Sequence, residues 1–318
     1  MNPTELELVS LSEVQETEVE WLWYPYIPYG KLTIIQGDTG GGKTMLILRL
    51  SALLSKGEAL PFDDNNIKRE PINIIYQTAE DGYGDTIKPR LMSADADCNH
   101  IYYINEDKAS LSMLDERIEE AIIKLKARLF ILDPNQAYIG QNVDLNRANE
   151  VRPLLKKLGD IDLKHQCAIV LIGHLNKGNG KSTYKSIGSI DIPAAARSIL
   201  FVGELKDDPE TRVVVQDKNS LACKGESFAF KLSKDNGFSW AGKTNVTIDE
   251  LLAGKTRQTE KSRATNFLSD LLADGPLPAT EIYELAKVES IAERTLNSAK
   301  RDLNIKSIRQ SDAWIWML

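Results

Sequence analysis

The chain has 318 residues, of which 42% are hydrophobic and 27% charged, and a net charge of −7 at pH 7. That length and balance suit a globular chain of about two domains, and the acidic charge excludes a protein that coats nucleic acid indiscriminately. No apolar run approaches the roughly 20 residues of a membrane span, and Met1 to Glu20 lacks the basic, apolar and small-residue succession of a secretory leader, so a cytoplasmic location without membrane partners is expected. Cys98, Cys167 and Cys223 are widely spaced, and His100, His165 and His174 lack ligand spacing, which points to free thiols rather than disulfides or a zinc site.

Residues 1–30 carry acidic sequence and then the aromatic cluster Trp21, Trp23, Tyr24, Tyr26 and Tyr29, interrupted by Pro25 and Pro28. The prolines predict an extended segment whose rings pack beside the first strand rather than stack on bases. From Lys31 onward, strands over Leu32 to Gln36, Ile72 to Gln77, His100 to Ile104, Leu129 to Asp133 and Ala168 to Gly173 are expected to alternate with helices over Lys43 to Ser55, Thr86 to Ala94, Met113 to Lys126 and Arg147 to Lys164. That alternation is the pattern of a parallel α/β sheet covered on both faces.

After Arg197 the pattern turns to short β segments, Ile199 to Glu204, Arg212 to Asp217, Phe228 to Leu232 and Phe238 to Trp240, which should extend the sheet in antiparallel fashion. The expected organisation is an α/β core over 31–245, a polar linker over 246–262 and a small domain over 263–318. The last reads as helices Arg263 to Leu272, Ala279 to Ala286 and Ile291 to Leu303 followed by strands Lys306 to Ile308 and Ala313 to Met317, a winged-helix pattern. Ser290 and Glu293 have capping-box spacing. Arg294, Asn297 and Arg301 share one helix face, readable as a DNA-contacting face or as a solvated one.

The chemistry centres on Gly37-Asp38-Thr39-Gly40-Gly41-Gly42-Lys43-Thr44, a complete G-x-x-x-x-G-K-[ST] phosphate loop between a strand and the helix that continues through Met45. Its glycines let backbone N–H groups turn towards phosphates, Lys43 supplies a point charge for the β/γ oxygens, and Thr44 offers a hydroxyl to Mg²⁺. ATP and Mg²⁺ are therefore the expected cofactors. Phe130-Ile131-Leu132-Asp133 is an apolar strand ending in an acid, which makes Asp133 the second metal residue. Pro134 follows it, so a general base must come from another strand, and Glu80 at the end of Ile74 to Thr78 is the choice. Asp81 competes, with helix capping before Thr86 as its expected job. His174 ends a further strand, where a polar group can contact the γ-phosphate or its water. The stretch from Leu175 to Ser186 holds Lys177, Lys181, Tyr184 and Lys185, a cationic loop with one ring that suits single-stranded nucleic acid.

Together, Trp21-Leu22-Trp23-Tyr24-Pro25-Tyr26-Ile27-Pro28, the phosphate loop, Ala79-Glu80-Asp81 with Arg90-Leu91, His174-Leu175-Asn176-Lys177, and Gly188-Ser189-Ile190-Asp191-Ile192 leading to Ala194-Ala195-Ala196-Arg197 resemble the RecA-type AAA-domain ATPases of phages, plasmids and mobile elements. Relatives of that group are the plasmid RepA hexameric helicase and, more remotely, DnaB and RecA. The resemblance implies a RecA-like core, with Lys43 and Thr44 on phosphate and Mg²⁺, Asp133 as Walker B acid, Glu80 as base and His174 as γ-phosphate sensor. It also implies a homo-oligomer, a hexameric ring with ATP between subunits and a cation supplied in trans. Asp217-Lys218-Asn219 after Val213-Val214-Val215 makes Lys218 that cation. Relatives often carry Arg where Ile187 stands, which leaves open whether Lys185 or Arg197 acts as a second one.

The expected function is ATP hydrolysis coupled to single-stranded DNA, with duplex contact through the winged helix, as a RepA-like replicative helicase or helicase-like motor. Alternatives are a RadA- or RecA-like recombination or repair ATPase and an ATP-controlled DNA-binding regulator.

Overall fold

Apolar runs of about five residues form a sheet buried on both faces, which is why they read as continuous rather than alternating hydrophobic sequence. The computed structural model describes residues 8–63, 68–140, 143, 147–174, 191–233, 235, 237–253, 260–273, 275–289, 291–303, 305–310 and 313–317. Its contacts divide the chain into two units, 1–255 and 256–318.

In the first unit β1 (Trp21–Trp23) and β2 (Ile27–Pro28) pair as an antiparallel hairpin. Then follow β3 (Thr33–Gly37), α1 (Lys43–Ser55), β4 (Ile74–Thr78), α2 (Lys88–Ser93), β5 (Ile101–Tyr102), α3 (Glu116–Leu125), β6 (Leu129–Asp133), α4 (Ala148–His165) and β7 (Ala168–His174). After α5 (Asp191–Ala195) come β8 (Ser198–Leu205), β9 (Asp208–Asn219), β10 (Ser227–Ser233) and β11 (Gly237–Thr244), then α6 (Ile248–Ala253). The strand order is β11-β10-β9-β8-β3-β7-β6-β4-β5, parallel from β8 to β5 and antiparallel from β8 to β11. Alternate side chains of one strand enter different layers. Ile35 and Ile131 pack with Leu46 and Leu50 of α1, whereas Ile34, Phe130 and Leu132 pack with Leu154 and Leu158 of α4.

Two expectations need correction here. Residues 21–28 are a hairpin rather than a simple extended segment, and its rings lie chiefly on the antiparallel extension: Trp23 packs on Tyr26 at 4.5 Å and on Phe228 of β10 at 5.3 Å. A hydrogen bond from Tyr26 N–H to the Trp23 carbonyl, 2.7 Å, makes the turn that the prolines alone do not reveal. The stretch 246–262, expected as linker, contains α6, whose Leu251 lies beside Gly203 of β8.

The second unit contains α7 (Glu260–Ala273), β12 (Leu277–Pro278), α8 (Ala279–Val288), α9 (Glu293–Asp302), β13 (Lys306–Gln310) and β14 (Ala313–Met317). Its sheet order is β12-β14-β13, all antiparallel, and Leu268, Ile282, Leu296 and Trp316 form its core. Residues Leu277 and Pro278 are a strand that their sequence does not advertise, since two residues carry no periodicity. Helix α9 begins at Glu293 with Ala292 as N-cap and no capping side chain, so Glu293 is not the third residue of a helix capped from Ser290, which lies outside the described residues. Among the described residues no helix is long and apolar enough to cross a membrane.

Candidate nucleotide site

The site starts from glycine. At Gly37 a Cβ would stand 2.0 Å from the Val202 carbonyl oxygen, so no larger residue fits where β3 meets β8. Gly40 and Gly42 have φ of 76° and 92°, the left-handed backbone that turns the loop at little steric cost. Gly42 is the N-cap of α1 and makes no side-chain cap, which leaves the first N–H groups of the helix, from Lys43, Thr44 and Met45, without intrahelical partners at its positive end. The buried Lys43 ammonium donates to the carbonyls of Gly37 at 2.9 Å and Asp38 at 2.7 Å and to His174 Nδ1 at 3.3 Å. Burial lowers its pKa, opposed by the charges of Asp133, Asp38 and Glu80.

Register brings the remaining groups to the same edge. Gly37 pairs with His174 and Thr78 with Asp133, and β6 pairs with β7, so the carboxyl ends of β3, β7, β4 and β6 all fall on one edge of the sheet, with Gly37 and His174 two residues beyond Thr78 and Asp133, the edge where α/β sheets place ligands. The Thr44 hydroxyl donates to Asp133 Oδ2 at 2.7 Å, and the Tyr76 hydroxyl donates to the same oxygen at 2.6 Å. Burial, then the neighbouring Asp133 charge, push the Tyr76 phenol far up, so it remains a donor. Thr78 Oγ1 accepts from the N–H groups of Glu80 and Asp81 at 3.3 and 3.4 Å, and Ala79 N–H reaches the Asp133 carbonyl at 3.3 Å, which ties the Glu80 turn to the Asp133 strand. The Glu80 carboxylate is 61% exposed and stands 3.7 Å from His174 Nε2. An ammonium can only donate, so His174 Nδ1 accepts from Lys43, and the neutral ring carries its proton on Nε2, facing Glu80.

Asp133 and Thr44 present hard oxygen donors, which fit Mg²⁺, an ion that keeps several waters and takes few protein ligands. Among the described residues no cluster of three or more His, Cys, Asp or Glu could hold a metal. A divalent ion here would therefore rely on these two residues and on substrate phosphate oxygens.

Other sequence-derived positions behave differently. Asp81 does not cap a helix: it is paired with Arg90 at 2.8 Å, and a single turn of π-helix at Tyr83–Ile87 has Gly82 as its N-cap. Lys218 pairs in register with Ile199 near the start of β8, the sheet end opposite Gly37, and its ammonium donates to the carbonyls of Pro193 and Ala194 at 3.0 and 3.3 Å. Burial and then Arg197 lower its pKa. The structure does not bring Lys218 or Arg197 to the phosphate loop of the same chain. Lys177, Lys181, Tyr184, Lys185 and Ile187 lie outside the described residues. In the second unit Arg294 and Arg301 are exposed on α9, whereas Asn297 Oδ1 accepts from the Tyr283 hydroxyl at 3.0 Å.

Three residues escaped the sequence reading. Tyr76 is a hydroxyl inside an otherwise aliphatic run, a signal that was present. The Tyr83 hydroxyl accepts from Thr78 N–H at 3.1 Å, and its ring stacks on Tyr103 at 3.8 Å. Arg212 of β9 packs on the loop, its Cγ 3.3 Å from where a Gly42 Cβ would be, and pairs with Glu204 at 3.0 Å. Nothing local in sequence announces the last two.

No match was found among curated proteins. Among solved structures, the crystal structure of the RadB recombinase is similar at 17% identity, covering 67% of this chain and 91% of that chain with a TM-score of 0.44. Residues 2–180, more than half of the chain, match the family model described as AAA domain. With a phosphate loop, an acid-ended strand and a largely parallel sheet that sets them side by side, the chain belongs to the AAA domain family of nucleotide-binding P-loop proteins.

Proposed function

We propose that this chain hydrolyses MgATP within a homo-oligomeric ring and couples the hydrolysis to DNA, as a RepA-like replicative helicase or helicase-like motor. The observation that carries the reading is the convergence of Lys43, Thr44, Asp133, Glu80 and His174 on one edge of the sheet. In this reading Lys43 and the N–H groups after Gly40 hold the β- and γ-phosphates, and Thr44 with Asp133 holds Mg²⁺. The bound ion supplies charge neutralisation across the β/γ oxygens. Glu80 orients the attacking water and accepts its proton. His174 touches both Lys43 and Glu80, so a phosphate that takes over the Lys43 ammonium changes what His174 Nδ1 can accept, which links nucleotide state to the chain after it.

Lys218 is assigned to the ATP site of a neighbouring subunit. Mixing Lys218→Ala with Glu80→Gln subunits should restore some turnover, and verified mixed assemblies that stay inactive would sink that role. Single-stranded DNA is assigned to Lys177, Lys181, Tyr184 and Lys185. Replacing the three lysines should weaken binding and flatten its salt dependence. The second unit is read as a winged helix that meets duplex DNA through Arg294, Asn297 and Arg301.

The experiment is ATP turnover together with sedimentation and electron micrographs, with and without MgATP and single-stranded DNA. Closed rings with DNA-stimulated turnover support the reading. Helical filaments on single strands would replace it with a recombination ATPase of the RadA or RecA kind, and tight duplex binding with negligible turnover would replace it with a regulator.

A further inference from the structure

A cavity of about 230 Å³ lies at the β5 edge of the sheet, between α2 and the strands β4 and β5. Four of the chain's ten tyrosines line it, Tyr76, Tyr83, Tyr102 and Tyr103. Ile87, Leu91 and Ile101 supply apolar walls, and Lys88 is the one charged residue among the described residues of the lining. Lys88 is exposed, and Tyr102 and Tyr103 are 37% and 51% exposed, so these three stand at the mouth while Tyr76, Ile87 and Leu91 form the buried floor. A single turn of π-helix shapes one wall, since Tyr83 and Ile87, its first and last residues, both line the cavity. Such turns are rare and are found frequently at functional sites.

Two of these tyrosines are hydrogen-bonded to the nucleotide site. The Tyr76 hydroxyl donates to Asp133 Oδ2 at 2.6 Å, and the Tyr83 hydroxyl accepts from Thr78 N–H at 3.1 Å, while Thr78 Oγ1 holds the turn that carries Glu80. Whatever packs on these rings is one hydrogen bond from the metal acid and two from the base. Size and charge limit what can pack there. An apolar cavity of about 150 Å³ holds one benzene ring, so this one has room for a fused pair, and phenol faces favour stacked or edge-on aromatic partners. One cation at the mouth and no acid in the lining favour a single carboxylate at the ligand's outer end, since a charge placed deeper would lose water without gaining a partner. A nucleotide, with several charges and a ribose, suits neither the room nor the one cation.

We propose that this cavity binds a bicyclic aromatic carboxylate, its rings among the tyrosines and its carboxylate on Lys88, and that the bound ligand favours Mg²⁺ at Thr44 and Asp133. The rings brace Tyr76 and Tyr83 in the positions from which they bond Asp133 and Thr78, and a phenol that cannot swing away keeps the metal acid oriented. Coupling of this kind is reciprocal, so MgATP tightens the ligand by the factor by which the ligand tightens MgATP. The inference rests on the assignment of Thr44 and Asp133 to Mg²⁺ in the proposed function and is independent of ATP hydrolysis.

The test is calorimetric titration of the full chain with naphthoate, alone and with a non-hydrolysable ATP analogue and Mg²⁺ present. Naphthoate should bind with a Kd below about 1 mM, and its neutral isostere naphthalenemethanol at least about 5-fold more weakly. Lys88→Gln should erase that preference and leave the affinity for the neutral probe unchanged. Leu91→Trp should fill the cavity and abolish binding of both probes; where it fails to fold, Lys88→Gln, at an exposed position, carries the test. Saturating naphthoate should lower the Mg²⁺ concentration for half-maximal binding of the analogue by at least about 5-fold. Absence of naphthoate binding, equal affinity for the two probes, or an unaltered Mg²⁺ requirement overturns the proposal. So does displacement of naphthoate by the analogue, which would make the cavity part of the nucleotide site. A chain that shows every expected shift yet never turns over ATP keeps the cavity and loses the hydrolysis reading, so the two failures are distinguishable.

Discussion

The parallel and antiparallel halves of the sheet are built from similar apolar residues and divide the labour unequally. In the parallel half every residue of β3, β4 and β6 is buried, and the groups with chemistry to offer collect where the strands end. In the antiparallel half β11 alternates exposed and half-buried residues along its length, and its rings pack in a cluster: Phe230 stacks on Phe238 at 4.9 Å, and Trp240 stands edge-on to Phe238 at 4.8 Å. Parallel strands deliver all their carboxyl ends to one edge, whereas antiparallel strands return and scatter theirs. Concentrated chemistry follows from strand direction, and the antiparallel half serves chiefly as packing.

That division predicts separable effects. The largest should come from Glu80→Gln, which lowers turnover by about 10² to 10⁴-fold while ATP still binds; steady-state hydrolysis beside calorimetric binding checks it, and wild-type turnover would remove Glu80 from the reaction. In the other half, Phe228→Ala removes a fully buried ring that touches Trp23, Tyr26 and Trp240 and should lower unfolding free energy by about 3–5 kcal/mol. ATP affinity per folded chain should stay unchanged, and a comparable loss of affinity in urea-titrated, still folded protein would break the comparison.

Lys43→Ala should weaken ATP binding by roughly 100-fold with little change in unfolding midpoint, since it removes charge-assisted bonds worth about 1.5–3 kcal/mol each. Tyr76→Phe sharpens the contrast, because the ring stays in the core while Asp133 loses one of its two donors. We expect a fall in kcat of about 10-fold and a higher Mg²⁺ requirement for nucleotide binding, from a bond worth about 1 kcal/mol. Unaltered Mg²⁺ dependence would make Tyr76 purely a packing residue.

A separate effect, on stability alone, is a pH dependence on α4. Burial raises Asp162 to about 9, and the Lys31 charge and the Gly30 and Lys31 amides, which do not meet hydrogen-bond geometry, only partly offset that. A folded pKa above the unfolded one means that its stabilisation is complete below the unfolded value of 3.8 and is lost as pH rises towards 9. Asp162→Asn should therefore gain stability relative to wild type between pH 6 and pH 8, by at most about 1.4 kcal/mol per pH unit. Equal shifts at both pH values would place the titration elsewhere.

What the sequence made legible was local. The glycines, Lys43 and Thr44 announce themselves in eight consecutive residues, and Asp133 by its place after three apolar ones. Glu80 and His174 follow once strand order is assumed, since the register then puts their strand ends on one edge. Tyr76 needed the register that puts it on the same face of the sheet as Asp133, and Arg212 needed β9 to fold back over the loop. The hairpin at Trp21–Pro28 hid because prolines suit a turn as well as an extended run, and Asp81 was misjudged because Arg90, nine residues on, returns through a π-turn.

The three acceptors around Lys43 have a consequence for selectivity. An arriving nucleotide does not strip a hydrated ammonium; it must displace two carbonyls and an imidazole that already satisfy it. Such an exchange discriminates by charge density, so a monophosphate gains little over the internal partners while a diphosphate or triphosphate gains much. Counting phosphates would then be a property of the resting loop itself, set before any base or sugar is recognised.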